Sequence, residues 1–109
     1  MTELRFSELS ALRQALIRRC QRMGFGKILR LDVRDGQPVF APGTEVLLDV
    51  KLDSTETRRP EQDLPDFVLC AAVGRFVEQL DSIRDGTVEQ IEVRAGIPVR
   101  MIFKASVNV

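Results

Sequence analysis

The segment Gly26 to Val39, GKILRLDVRDGQPV, recurs sixty residues later as Gly86 to Val99, GTVEQIEVRAGIPV. Six of fourteen aligned positions are identical without a gap: Gly26/Gly86, Val33/Val93, Arg34/Arg94, Gly36/Gly96, Pro38/Pro98 and Val39/Val99. Ile28/Val88, Leu31/Ile91 and Asp32/Glu92 are conservative pairs. Agreement at a fixed offset marks a repeated structural unit and constrains the fold before any element is assigned. The offset also holds upstream, where Leu9/Leu69, Ala11/Ala71, Leu16/Phe76, Ile17/Val77, Cys20/Leu80 and Met23/Ile83 align. The repeated unit is therefore read as helix–strand–strand.

The first helix is expected to start at Phe6-Ser7-Glu8, with Ser7 as cap and Glu8 favourably placed in the dipole. Leu9, Leu12, Leu16, Cys20 and Met23 then fall three or four apart, one apolar stripe. Gly24 or Gly26 stops the helix. In the following strand, Ile28 to Val33, alternation places Leu29, Leu31 and Val33 on one face and Arg30 and Asp32 on the other. A two-residue turn at Asp35-Gly36 would put Val39 on the Asp32 face. Three-residue loops, Arg34-Asp35-Gly36 and Arg94-Ala95-Gly96, keep the apolar residues together, with Gly in the left-handed region.

Ala41-Pro42-Gly43-Thr44 reads as a fresh turn into an added strand, Glu45 to Leu52, with Val46, Leu48, Val50 and Leu52 on one face. Residues 53–65 are polar and form a surface linker. Asp63 caps the second helix, with Pro65 in its first turn and Arg84-Asp85-Gly86 at its end. The final hairpin runs from Val88 to about Val107. The expected fold is α+β: a single domain over 1–109, with one αββ repeat at 7–52 and another at 66–107 (αβββ-αββ). They form one mostly antiparallel sheet with two helices on one face. The expected core is Leu9, Leu12, Leu16, Leu31, Val33, Leu48, Val50, Leu69, Phe76, Leu80, Ile91, Val93, Val99, Met101 and Phe103.

Where the first helix has Glu8, Ser10, Arg13 and Gln14, the second has Val68, Cys70, Val73 and Gly74. Apolar residues on more than one side imply burial on two faces. Val68, Ala71, Ala72 and Val73 are thus the expected homodimer interface.

Chemistry is sparse. With no His, histidine nucleophile activation and metal ligation are excluded. Cys20 and Cys70 lack zinc-site spacing and sit in helical patterns as small hydrophobes, so no metal or cofactor is expected. Gly24-Phe25-Gly26-Lys27 lacks the Ser or Thr and the following helix of a phosphate loop. Asp32 and Glu92 are expected to pair across strands with Arg30, Arg34 and Arg94 rather than act as an acid–base pair.

Net charge is zero but uneven: +5 over 1–34, −6 over 35–85 and +1 over 86–109. Arg13, Arg18, Arg19, Arg22, Lys27 and Arg30 make the basic set, with Arg18, Arg22, Lys27 and Arg30 the candidate polyanion surface. Against it stand overall neutrality and the lack of Trp and Tyr for base stacking. The start, MTELRFSELS, lacks a signal-peptide apolar region, and no long apolar run suggests a membrane span, so a cytoplasmic protein is expected.

Ser82-Ile83-Arg84-Asp85-Gly86-Thr87-Val88, with the helix before it and the hairpin after it, resembles very short bacterial proteins of unknown function. Those have one helix, a turn of the form S-[IL]-R-x-G-[ST]-V and one hairpin; the resemblance covers about the last forty residues and implies no activity. The element order also resembles secretion-type chaperones, small dimers that bind disordered partners. This chain lacks their final helix and their acidic balance, and function does not follow from fold order. The function expected is a non-catalytic protein-interaction module acting as a homodimer, not an enzyme. The alternative is nucleic-acid or polyanion binding through the first helix. A continuous basic patch would favour the alternative; arginines tied to acidic segments would count against it.

Overall fold

The computed structural model of the protein describes residues 4–53 and 64–104. Two helices, α1 (Ala11–Met23) and α2 (Ala71–Ile83), pack on one face of an open, mostly antiparallel sheet. Its strands are β1 (Gly26–Arg34), β2 (Gln37–Val39), β3 (Glu45–Leu48), β4 (Gly86–Arg94) and β5 (Ile97–Phe103). The class is α+β, as the periodicity predicts. Bounds of α1 and α2, and of β1 and β4, differ by sixty residues.

The helices begin later than expected. Residues Phe6–Glu8 form only a short 3-10 turn, and Ser10, not Ser7, caps α1 by accepting from the Arg13 N–H at 3.3 Å. Cys70 precedes α2, so Asp63 and Pro65 do not start it; Asp63 itself lies outside the described residues. Each helix ends in a one-residue reversal with φ/ψ of 75/−71° at Gly24 and 60/−66° at Arg84. The next N–H closes a tight turn in both, Phe25 onto the Met23 carbonyl at 2.9 Å and Asp85 onto the Ile83 carbonyl at 2.7 Å. Within the expected stop Arg84-Asp85-Gly86, Arg84 is therefore the C-cap of α2.

Both hairpin loops contain two residues, not three: Arg34 faces Gln37 and Arg94 faces Ile97. Asp35 and Gly36 have φ of 51° and 73°, and Ala95 and Gly96 have 51° and 78°, the two positive values of a type I′ turn. The faces stay unscrambled because the alternation breaks once in each long strand. Arg30 (φ 56°) and Glu89 face each other across the β1–β4 pair and drop out of its ladder. The buried sets become Ile28, Leu31 and Val33 in β1 and Val88, Ile91 and Val93 in β4. Leu29 is thus off the core face. Pro38 and Pro98, opposite Val33 and Val93, turn inward, whereas Val39 and Val99 do not.

The β1–β4 register is symmetric under the sixty-residue offset. Gly26 opposite Val93 has its counterpart in Val33 opposite Gly86, and Ile28 opposite Ile91 in Leu31 opposite Val88. Reciprocal bonds tie turns to helix ends: Gly36 N–H donates to the Arg84 carbonyl at 2.7 Å, and Gly96 N–H to the Gly24 carbonyl at 2.8 Å. Arg13 reinforces one of these, donating to the Gly36 carbonyl at 2.9 Å and pairing with Asp81.

Residues 41–44 do not reverse the chain. β2 and β3 both run antiparallel to β1, β2 along Asp32–Arg34 and β3 along Gly26–Leu29. They form one interrupted lane, so the sheet has four lanes: β2/β3, β1, β4 and β5. β3 also stops at Leu48, and Leu48, Val50 and Leu52 are exposed instead of facing the core.

The core joins Leu16, Ile17 and Cys20 of α1 and Val73, Phe76, Val77 and Leu80 of α2 to the six buried strand residues, with Phe6 and Leu9 at its end. Each such Leu, Ile, Val or Phe contributes about 1.5–3 kcal/mol relative to exposure. Of the expected core, Leu12, Leu48, Val50, Val99 and Phe103 are exposed, and Leu69 and Met101 are partly buried. Among the described residues, no helix is long and apolar enough to cross a membrane.

Candidate interaction surfaces

A groove of about 250 Å³ runs between α2 and β5. Ala72, Arg75, Phe76 and Gln79 repeat at helical spacing along one wall, and Pro98, Val99, Arg100 and Met101 form the other. Buried Phe76 and Pro98 give it an apolar floor. The β4–β5 register slips at Val99, a bulge, and this side chain is 47% exposed.

β5 ends the sheet, and among the described residues no strand lies beyond it. The edge begins blunted, since Pro98 has no N–H and Val99 bulges. Arg100, Met101 and Ile102 then pair in unbroken register with Glu92, Ile91 and Gln90, a second slip at Glu89 of β4 follows before Phe103, and Ile102 and Phe103 are exposed. The opposite edge is broken into two short strands by a loop that is tied to β1. There the Thr44 hydroxyl donates to the Arg30 carbonyl at 2.8 Å and accepts from Ala41 N–H at 3.0 Å. The Arg30 guanidinium donates to the Gly43 carbonyl at 3.0 Å and pairs with Glu45. Arg75 and Arg100, by contrast, are exposed, with no ion-pair or hydrogen-bond partner among the described residues.

The four residues expected at a dimer interface do not share one surface. Val68 is 41% exposed and Ala71 points outward, whereas Ala72 lines the groove. Val73 is only 5% exposed and belongs to the chain's own core, so it is not available to a partner. Among the described residues beyond its own helix turn and chain neighbours, nothing lies within 4 Å of where a Gly74 side chain would begin. The start of α2 thus offers a small-residue face beside the groove.

The basic set is dispersed. The Arg18 guanidinium lies 4.2 Å from the Phe6 ring centre and 5.3 Å from that of Phe67. It also donates to Gln21 at 2.9 Å and to the Leu64 carbonyl. Arg30 is held by Gly43 and Glu45. Lys27 stands opposite Glu92 on the bare sheet face, away from exposed Arg22 on α1. The sheet lies between the two pairs, and no continuous patch joins Arg18, Arg22, Lys27 and Arg30.

Arg18 instead serves an N-terminal clamp that helical patterning did not reveal. Phe6 stacks on Phe67 at 5.0 Å, Phe6 N–H donates to the Phe67 carbonyl, and Leu69 N–H donates to the Leu4 carbonyl. Arg5 pairs with Asp66 at 2.8 Å. The Arg5 guanidinium, then the Ser7 N–H, hold the Asp66 carboxyl down at about 2. The signal available was the run Asp66-Phe67-Val68-Leu69, an acid followed by three β-favouring apolar residues ahead of α2.

Asp32 and Glu92 pair along their own strands, with Arg34 at 3.7 Å and Arg94 at 3.1 Å, rather than across them. Burial pushes the Cys20 thiol up to about 12, while Cys70 is exposed. Among the described residues, no three Cys, Asp or Glu side chains gather as metal ligands. Compared with family models, curated proteins and solved structures, the chain gives no match.

Proposed function

We propose that the protein is a non-catalytic interaction module that acts as a homodimer. The observation that carries this reading is the apolar-floored groove between α2 and β5, continuous with the free edge of that strand. The start of α2 supplies the self-association face through Val68 and Ala71, next to the groove. The two αββ units at a sixty-residue offset are read as copies of one ancestral unit, supported by the symmetric register and the reciprocal turn–helix bonds. Polyanion binding is disfavoured because Arg18 and Arg30 are engaged within the fold.

The test is light scattering on Val68→Glu and Ala71→Glu. Both positions are exposed, so each variant keeps the wild-type far-ultraviolet circular dichroism. Each is expected to halve the mass of the particle. A mass unchanged by both removes the interface from α2. Val73→Glu is unsuitable, because it would place a charge in the core.

A further inference from the structure

We infer that the Arg100–Phe103 edge of β5 takes up an extended acidic segment of a partner protein as an added strand. The inference rests on the interaction-module reading and names the partner's chemistry.

Three observations converge on it. First, the two sheet edges are treated differently by closely related hairpins. The β2/β3 lane is broken by residues 40–44 and locked by Thr44 and Arg30, whereas β5 is one strand from Arg100 to Phe103 with no extra residue of its own, the slip beside Phe103 being taken up by Glu89 of β4. An open row of backbone donors and acceptors is what strand addition uses.

Second, the edge is bracketed by cations. Arg100 faces Glu92 on the bare sheet face, and Arg75 rises from α2 on the helix face. Among the described residues neither has a partner to neutralise it. A strand laid beside β5 presents side chains alternately to both faces and meets an arginine on each. Carboxylates on both faces match this arrangement and basic residues oppose it.

Third, apolar surface lies between the cations. Phe76, Pro98 and Met101 line the helix side, and Ile102 is 47% exposed on the bare side. The favoured segment therefore mixes acidic and apolar residues on each face. A second copy fits this edge poorly, because pairing β5 with itself would gather Arg75 and Arg100 of both chains along one seam. Self-association is left to the adjacent start of α2.

The probe is a fluorescein-labelled eight-residue peptide in which pairs of glutamates alternate with pairs of valines, so that each face carries both. A peptide with lysine pairs in their place controls for charge, and one with backbone N-methyl groups at alternate positions controls for strand pairing. Fluorescence anisotropy with the full chain should show the acidic peptide binding roughly tenfold or more tightly than the lysine peptide, and the N-methylated peptide failing to bind. Arg75→Glu with Arg100→Glu should invert the charge preference. Both side chains are exposed and, among the described residues, unpartnered, so the variant keeps its fold. Amide shifts should centre on Arg100–Phe103 and the α2 wall. Equal binding of acidic and basic peptides overturns the inference, as does tight binding of the N-methylated peptide or no binding at all. Particle mass is measured on the same samples: failure of the peptide with an intact dimer sinks the β5 assignment alone, whereas a monomeric wild type sinks the homodimer reading.

Discussion

Gly26 and Gly86 open β1 and β4, sixty residues apart, yet the structure gives them different duties. A methyl group on Gly26 would collide with the Leu47 carbonyl oxygen and lie 3.1 Å from its carbon and 3.2 Å from the Met23 methyl. The obstacle is backbone on a paired strand. β1 cannot retreat, because β4 holds it from the other side at Val93. Gly26→Ala must therefore lift β3 off β1, weakening a ladder that spans Gly26 to Leu29. Two or three backbone hydrogen bonds at about 0.5–1.5 kcal/mol each put the loss at about 1–4.5 kcal/mol. A methyl group on Gly86 meets only the Ile83 side chain at 3.5 Å, ordinary contact, and its φ is not positive. Gly86→Ala is expected within about 0.5 kcal/mol of wild type, or slightly more stable through reduced unfolded-chain freedom. Urea unfolding followed by circular dichroism measures both midpoints. Equal losses at the two sites, or a neutral Gly26→Ala, would refute the claim that β3 makes the first glycine obligatory.

Arg84→Gly should raise stability by up to about 1 kcal/mol in the same assay, because the left-handed strain at φ 60° is relieved while the bond from Gly36 to its carbonyl stays; destabilisation would contradict this. The Asp66 carboxyl titrates lower in the fold than in the open chain, so the unfolded state binds the extra proton. The clamp's contribution is complete above about pH 4 and is lost as pH falls toward 2. Asp66→Asn should flatten the stability-versus-pH curve in that window, and an unchanged curve would assign the acid sensitivity elsewhere. With a thiol reagent, Cys70 should react at once and Cys20 only on unfolding, since its thiol is buried and held neutral; rapid titration of both thiols would contradict its placement in the core.

The helices, the long strands and the fold class were legible because their apolar residues recur at the periods that burial requires. The turns were misread for a physical reason. Asp35-Gly36 is a strong type I′ signal, but unbroken alternation along β1 argued against it, and adjacent Ile28 and Leu29 both qualified as core. The second unit held the correction: Val88 and Ile91 are three apart, with Glu89 and Gln90 between them, a spacing that fits only a strand whose alternation breaks. Val50 and Leu52 misled because a strand pattern does not say where pairing stops. For the surfaces, the excess apolarity of α2 was visible, but helical phase sends Val73 inward and Ala72 into the groove. The β5 edge could not be seen at all, since which lane ends the sheet is a property of topology, not of local sequence.

The most direct measurement is the mass of the wild-type chain in solution by light scattering across a dilution series. The account predicts a particle of twice the 12.3 kDa chain that dissociates without unfolding. A 12.3 kDa particle at every concentration would contradict the homodimer and leave the β5 edge as the surface to be tested alone.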